Sequence, residues 1–325
     1  MNTKNIRFRS NRVRDIVALY HEELDALYGS GEVGVFCEML FEAFLGWDKV
    51  RLLVSKEQPI DQSDLLRFHW ALEDLKKHRP IQHIIGHTDF CGCRIEVNPD
   101  VLIPRPETEE MVRWLLSRLS YVQYMFSTCS VLVQSITEQV LNIYRTSTEQ
   151  RSKIIDLCTG SGCIAIALKK ALPQAEVTAV DVSEKALAVA RRNAESNGVE
   201  VNFRQADLLD PRFDFQSSVF NLIVSNPPYV REKERAQMQR NVLDYDPALA
   251  LFVPDDDPLR FYRAIAAIAR RHLAEEGLLA VEINEALADE TCTLFRGQGL
   301  APNVHTDFRG KARWVTATKK KNFSD

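Results

Sequence analysis

Two stretches of this chain set residue types that do chemistry at a spacing that lets them act together. The first is Asp156-Leu157-Cys158-Thr159-Gly160-Ser161-Gly162, a glycine-rich run between an apolar segment and a helical one. Glycines let a backbone turn tightly and approach a ligand closely. A helix starting behind them offers free N–H groups and the positive end of its dipole. Asp181 closes the next apolar segment, at the spacing of a carboxylate that accepts hydrogen bonds from ribose hydroxyls. Asp207 closes the third, where it or Leu208 would border an adenine ring. A plain strand-end cap explains Asp207 alone nearly as well. Three strand ends around one nucleoside are still more specific than a glycine loop. Gly160-Ser161-Gly162-Cys163-Ile164-Ala165 also satisfies G-x-G-x-x-G/A, so hydride transfer with NAD is the competing class.

The second stretch, Asn226-Pro227-Pro228-Tyr229, decides between them. It follows the apolar strand Phe220–Ser225, and two prolines cannot continue a ladder, so they hold a stiff turn at the nucleoside's edge. An amide nitrogen is a poor nucleophile because its lone pair is delocalised into the carbonyl. The Asn226 side-chain oxygen and the Pro227 carbonyl can each accept one N–H from a target NH2, aiming its lone pair at a methyl group. Orientation of this kind supplies about 7–11 kcal/mol of a barrier at best. Tyr229 would stack on the planar group and exclude water. The chemistry indicated is methyl transfer from S-adenosylmethionine to a planar amide or amine nitrogen, with Asn226, Pro227 and Tyr229 catalytic. A plain Asn-Pro turn is common, but at a strand end in this setting it is the weaker reading.

The elements that must position these residues follow from periodicity. Apolar residues at Ile16, Leu19, Tyr20, Leu24 and Leu27 predict a helix, broken by Gly29-Ser30-Gly31. A second stripe opens at Val35, and a third helix runs from about Asp61 to Lys77, capped by Asp61 or Ser63. Residues 1–80 thus read as a helical bundle. Two extended segments, Ile81–Ile85 and Cys93–Val97, predict a hairpin linker over 81–106. Val101-Leu102-Ile103-Pro104-Arg105-Pro106 cannot be helical. From Lys153 onward strands alternate with helices: strands at Lys153–Leu157, Glu176–Val182, Val201–Ala206, Phe220–Ser225 and Leu278–Ile283, then a hairpin around Gly310. That pattern implies an α/β fold with a mostly parallel sheet covered on both faces. Leu119–Thr137 carries no formal charge, but polar residues interrupt it, so an amphipathic helix is preferred to a membrane span.

At 325 residues the chain is long for one domain. Its 45% hydrophobic and 26% charged residues suit a globular core, and the net charge of -4 argues against a protein that grips long nucleic acid through phosphates. Seven scattered cysteines without a CxxC pair read as reduced thiols, and no metal site is indicated. Met1–Arg14 is basic without an apolar core, which reads as the start of a helix in a cytoplasmic protein.

With these residues in view, the chain resembles the HemK/PrmC family, protein N5-glutamine methyltransferases acting on peptide chain release factors. The resemblance is carried by Arg79-Pro80-Ile81-Gln82-His83-Ile84-Ile85-Gly86, Leu102-Ile103-Pro104-Arg105-Pro106-Glu107-Thr108-Glu109, the loop Asp156–Gly162, Asn226–Tyr229, and Tyr245-Asp246-Pro247-Ala248-Leu249-Ala250-Leu251. Asn-Pro-Pro-Tyr is shared with adenine-N6 nucleic-acid methyltransferases, one alternative function. Enzymes that methylate a ribosomal-protein glutamine, the other, typically carry Pro-Arg-Ser-Pro where this chain has Pro104-Arg105-Pro106-Glu107. The resemblance implies a five-helix N-terminal domain for substrate recognition (1–80), a β-hairpin linker (81–106) and a Rossmann-like, seven-stranded methyltransferase domain (107–325). It implies donor contacts at Cys158–Gly162, Asp181, Leu208 and Asn226, and glutamine contacts at Asn226, Pro227, Pro228 and Tyr229. The partner would be the Gly-Gly-Gln loop of a release factor, with neither a membrane nor a stable nucleic-acid partner. Three departures stand out. Cys158 replaces a usual glycine, which fits if its φ is negative and its side chain turns from the donor. Asp246 replaces a usual glutamate, and residues 120–150 read as an insertion.

Overall fold

The structure, a computed structural model, describes residues 8–128 and 152–320, which divide into two compact units. The first runs to Gly86 and includes Gln239–Tyr245. It is built on helices α1 (Val13–Tyr28), α2 (Ser30–Leu45), α3 (Lys49–Val54), α4 (Gln62–Lys76) and α5 (Ile81–Ile85). Each long helix buries residues three and four apart: Val13, Ile16, Tyr20 and Leu24 in α1, and Leu65, Phe68, Leu72 and Leu75 in α4. The buried Tyr20 hydroxyl donates to the Phe68 carbonyl at 2.6 Å, so the polar group is satisfied inside the core. The break between α1 and α2 needs only Gly29, at φ 83; Ser30 and Gly31 are already helical. Asp61 stands at the N-cap of α4 without a side-chain cap bond.

Two elements differ from the sequence expectation. Ile81–Ile85, expected to be extended, is the single helical turn α5. Ile81 is buried in the bundle core with Ile84 and Ile85 packed against it, and Gly86 at φ 84 ends the turn. A five-residue apolar run has no period of its own, and tertiary packing decided it. Helix α3 was not legible in the periodicity, only in the five helices that the resemblance implies: it is six residues long and buries only Leu52, and Asp48 accepts the Arg51 N–H at 2.7 Å as its N-cap.

The second unit begins with the hairpin β1 (His87–Phe90) and β2 (Cys93–Glu96), followed by α6 (Pro106–Thr128). The amphipathic helix expected over Leu119–Thr137 is helical as far as Thr128; the rest of it, and most of the expected insertion, lies outside the described residues. Then come β3 (Lys153–Leu157), α7 (Cys163–Ala171), β4 (Glu176–Asp181), α8 (Glu184–Ser196), β5 (Asn202–Gln205), β6 (Phe220–Ser225) and the short pair β7 (Val230–Arg231) and β8 (Phe252–Val253). The unit ends with α9 (Arg260–His272), β9 (Leu273–Glu282), α10 (Ala288–Gly297), β10 (Leu300–Thr306) and β11 (Ala312–Lys319). Among the described residues no helix is long and apolar enough to cross a membrane.

Seven strands form one sheet in the order β10-β11-β9-β6-β3-β4-β5, with β11 antiparallel to both neighbours and the others parallel. Strand faces alternate cleanly. Ile154, Leu222, Val224 and Ala280 point into a core shared with the hairpin, α6, α7 and α8. Ile155, Ile223, Leu279 and Val281 point into a core shared with α9 and α10. Burial on both faces is why these strands are apolar almost throughout. The chain winds from β3 to β4 and β5 on one side, then returns to β6 on the other, so a crevice opens at the carboxyl ends of β3 and β6. Register aligns those ends: Leu157 pairs with Val180 and Ser225, and Ser225 with Val281. The residues that follow each (Cys158, Asp181, Asn226 and Glu282) therefore emerge side by side.

Candidate active site

A cavity of about 360 Å³ occupies that crevice. Of the site residues expected from sequence, Cys158, Thr159, Gly160, Ser161, Asp181, Asp207, Leu208, Asn226 and Pro228 lie on its wall. Asp156, Gly162, Pro227 and Tyr229 do not. The wall also takes in Leu102, Pro104 and Arg105 from the segment leading into α6, Thr108 from its first turn, Phe252 from β8, and Arg260 and Phe261 from the start of α9.

The glycine loop is held from behind. Asp156, fully buried, accepts the Thr159 hydroxyl at 2.5 Å and lies by the Ala165 N–H in the first turn of α7. Burial pushes its carboxyl up to about 7, against those two hydrogen bonds, so it is a brace for the loop's turn. Gly162, at φ 82, caps α7; a Cβ there would lie 3.0 Å from that of Ala190 and 3.1 Å from Ile166 Cδ1, so only glycine lets α7 and α8 approach. Cys158 has φ 61, not the negative value expected of a side chain in this position, and it lines the cavity. The loop's path after β3 requires the left-handed conformation, which explains why glycine suits the position and what cysteine costs there.

Asp181 accepts two backbone N–H groups, Gly160 at 2.9 Å and Ser183 at 2.9 Å, which fix its carboxylate between the loop and the start of α8. Burial raises its pKa and these bonds oppose the rise. Asp207 accepts the Leu209 N–H at 2.8 Å, the turn expected of a strand-end aspartate, while also facing the cavity.

On the acceptor side, the Ser225 hydroxyl donates to the Leu157 carbonyl at 2.6 Å and ties the β6 corner to β3. Asn226 Nδ2 donates to Thr108 Oγ1 at 2.9 Å, which leaves Oδ1 as the amide's acceptor. Thr108 in turn donates to Glu282 Oε2 at 2.6 Å, and the Tyr229 hydroxyl donates to Glu282 Oε1 at 2.9 Å. Asn284 Nδ2 donates to the Tyr229 carbonyl at 3.1 Å and to Glu234 at 2.9 Å. Tyr229 is therefore a half-buried support, its ring packed against the α9-side core and its phenol pKa raised by desolvation and by Glu282. Tyr229 is not on the cavity wall, so the stacking surface expected of it is not part of the cavity. Arg105 makes an ion pair with Asp246, whose side chain is only 1% exposed. Glu282 was not singled out from the sequence, where a lone acid in Val-Glu-Ile-Asn carries no signal. Thr108 entered only as part of the Pro104–Thr108 resemblance.

The chain matches two family models, a methyltransferase small domain over residues 129–245 and a PrmC N-terminal domain over residues 24–86. It is 40% identical over 273 residues to the release factor glutamine methyltransferase of Flavobacterium psychrophilum, covering 84% of this chain and 87% of that one. It is 36% identical over 305 residues to the protein of that name from Bacteroides thetaiotaomicron, covering 94% and 99%. With the one from Bacillus subtilis it shares 34% identity over 287 residues, covering 88% and 91%.

Proposed function

The chain belongs to the release factor glutamine methyltransferase family, and on that premise we propose that it methylates the side-chain amide nitrogen (N5) of a release-factor glutamine, with S-adenosylmethionine as donor. The observation that carries the site reading is the Asn226 corner. Its amide nitrogen is tied to Thr108, its oxygen is left as acceptor, and it stands on the cavity wall beside the glycine loop.

The cavity suits such a donor. Asp181 supplies a fixed carboxylate at the end of β4, Leu208 and Ile164 give apolar walls for a flat base, and the loop Cys158–Ser161 brings the backbone close. The bound sulfonium would supply an electrophilic methyl. The protein's own residues do the rest. Asn226 Oδ1 accepts one N–H of the target amide and the Pro227 carbonyl accepts the other, turning the nitrogen lone pair toward the methyl. The new N–CH3 bond forms as the donor's S–CH3 bond breaks, so the donor would leave as a neutral thioether and the amide would release one proton to solvent during or after transfer. Pro227 and Pro228 keep the corner from relaxing, so the orienting entropy is spent in folding rather than at the transition state. Pro228 also offers a cavity-facing surface to the glutamine side chain, and Tyr229 holds the corner from behind.

We assign substrate recognition to residues 1–86, since α5 packs in the helical bundle, the link to 87–106 and transfer to 107–325. The Gly-Gly-Gln loop is the target we favour, and a translation substrate implies work in the cytoplasm. The experiment is transfer of labelled methyl to purified release factor, with the Gln→Ala factor as control. Asn226→Ala should abolish turnover while donor affinity stays within about threefold, because the donor rests mainly on the ends of β3, β4 and β5. Label absent from the glutamine, or found in nucleic acid, would overturn the proposal.

A further inference from the structure

Glu282 is buried, at 2% exposure, and takes no part in the transfer just described. It ends β9, next to Val281, which pairs with Ser225, so it lies beside the Asn226 corner. Each of its oxygens accepts one hydroxyl, Thr108 Oγ1 at 2.6 Å and the Tyr229 phenol at 2.9 Å. A carboxylate can only accept. The single proton of the Thr108 hydroxyl is therefore committed to Glu282, and Thr108 can meet Asn226 only as an acceptor. It does so at 2.9 Å from Nδ2.

We infer that Glu282 is a positioning residue that decides which end of the Asn226 amide faces the target nitrogen, acting through the Thr108 hydroxyl. This rests on the reading of Asn226 as the acceptor for the glutamine. A target NH2 is a donor. With Glu282 as acceptor, the chain of bonds runs Asn226 N–H to Thr108, then Thr108 O–H to Glu282, and the Asn226 oxygen is presented to the cavity. Without that acceptor, Thr108 is free to donate to Asn226 Oδ1. The amide then turns over and sets a donor against a donor. Asn226 cannot make this choice itself, because its two ends have nearly the same shape. The charged and titratable groups facing Glu282 from the packed elements are Glu107 of α6, Tyr229, Tyr262 of α9 and Arg313 of β11. Arg313 is engaged with Asp307 at 2.8 Å, so Glu282 keeps its two hydroxyls as hydrogen-bond partners.

The test is Glu282→Met, which keeps the length of the side chain and removes the acceptor. In the full-length protein it should lower kcat about 100-fold, the scale of a misplaced reacting group. Donor affinity and the KM for release factor should stay within about threefold, since Glu282 is not on the cavity wall. A merely structural role would not predict the second result. In Asn226→Asp, two carboxylates compete for one hydroxyl; adding Glu282→Met there frees Thr108 to donate to Asp at 226, whose outer oxygen still faces the cavity. The same substitution should thus lower activity in the natural background and raise it in the Asn226→Asp background. If Glu282→Met does not fold, Thr108→Val should show the same kcat loss and Thr108→Ser should recover at least about tenfold of it. A wild-type kcat in Glu282→Met, or losses of equal size in both backgrounds, or no recovery by serine, overturns the inference. A natural protein that fails to label release factor refutes the site reading instead, so the two failures are told apart.

Discussion

At Cys158 the usual order of alanine and glycine should be reversed. Alanine normally stabilises a chain relative to glycine by about 0.4–1 kcal/mol, because it narrows the unfolded ensemble. Cys158 has φ 61, where any side chain meets the following carbonyl at a cost of roughly 1–2 kcal/mol. Cys158→Ala and Cys158→Gly both lose the sulfur and its contacts with the α9-side core, so their difference isolates the backbone term. Subtracting the two effects leaves Cys158→Gly more stable by roughly 0.5–1 kcal/mol. Urea unfolding followed by far-UV circular dichroism, with the midpoint difference multiplied by the common m-value, measures it. Donor affinity should move together in the two variants, since each removes the same thiol from the cavity wall. Alanine more stable than glycine by the ordinary margin would show that the loop does not need a left-handed residue here. The account of how the loop leaves β3 would then be wrong.

Gly162→Ala should cost about 2–4 kcal/mol by urea unfolding, adding a positive φ to a Cβ wedged 3.0 Å from that of Ala190. Ala190→Gly in the same chain should recover only a part of the steric cost, since Ile166 Cδ1 stays 3.1 Å away. Asp246→Ala strips the partner from Arg105, itself 30% exposed, and should cost about 1–3 kcal/mol and weaken donor binding, because Arg105 is on the wall. Asp156 is held up to about 7 in the fold, above its unfolded value, so the folded state keeps a proton that the unfolded chain releases. Stability from this group is therefore full below about pH 4 and falls as pH rises toward 7. Asp181 and Asp246 shift the same way, so melting temperatures from pH 4.5 to 7.5 should decline with a shallower slope in Asp156→Asn. An unchanged slope would mean that Asp156 titrates as an ordinary carboxylate.

What the sequence made legible is what burial dictates. Lys153–Leu157 and Phe220–Ser225 were located to the residue, because a strand covered on both faces is largely apolar and a glycine-rich loop or Asn-Pro-Pro follows it. Strand β9 begins at Leu273, five residues before the expected Leu278. The hidden part contains Glu275-Glu276-Gly277 and reads as a turn. There the pairing with β6 jumps from Phe220–Leu273 to Leu222–Leu278, an irregularity that interrupts the apolar pattern without ending the strand. The nucleoside side of the site was legible because each group follows a strand in the chain. The relay behind Asn226 was not, since Thr108 and Glu282 are 174 positions apart and meet only through the register of the sheet.

The segment before α6 therefore has a more direct part in the chemistry than a marker of substrate would. Pro104 lies on the cavity wall, and Arg105 turns to the buried carboxylate of Asp246, whose shorter side chain still makes the pair. Pro106 opens α6 at the position where a missing N–H costs nothing, and two residues on, Thr108 reaches Asn226. Two prolines flanking Arg105 and a helix start behind them leave these residues little freedom, so the directions of Arg105 and Thr108 are set together. A flexible stretch of the same composition could supply the same hydrogen bonds, but each would have to be ordered at the moment of binding. The prolines that set the start of α6 thus also fix where Thr108 meets the Asn226 amide.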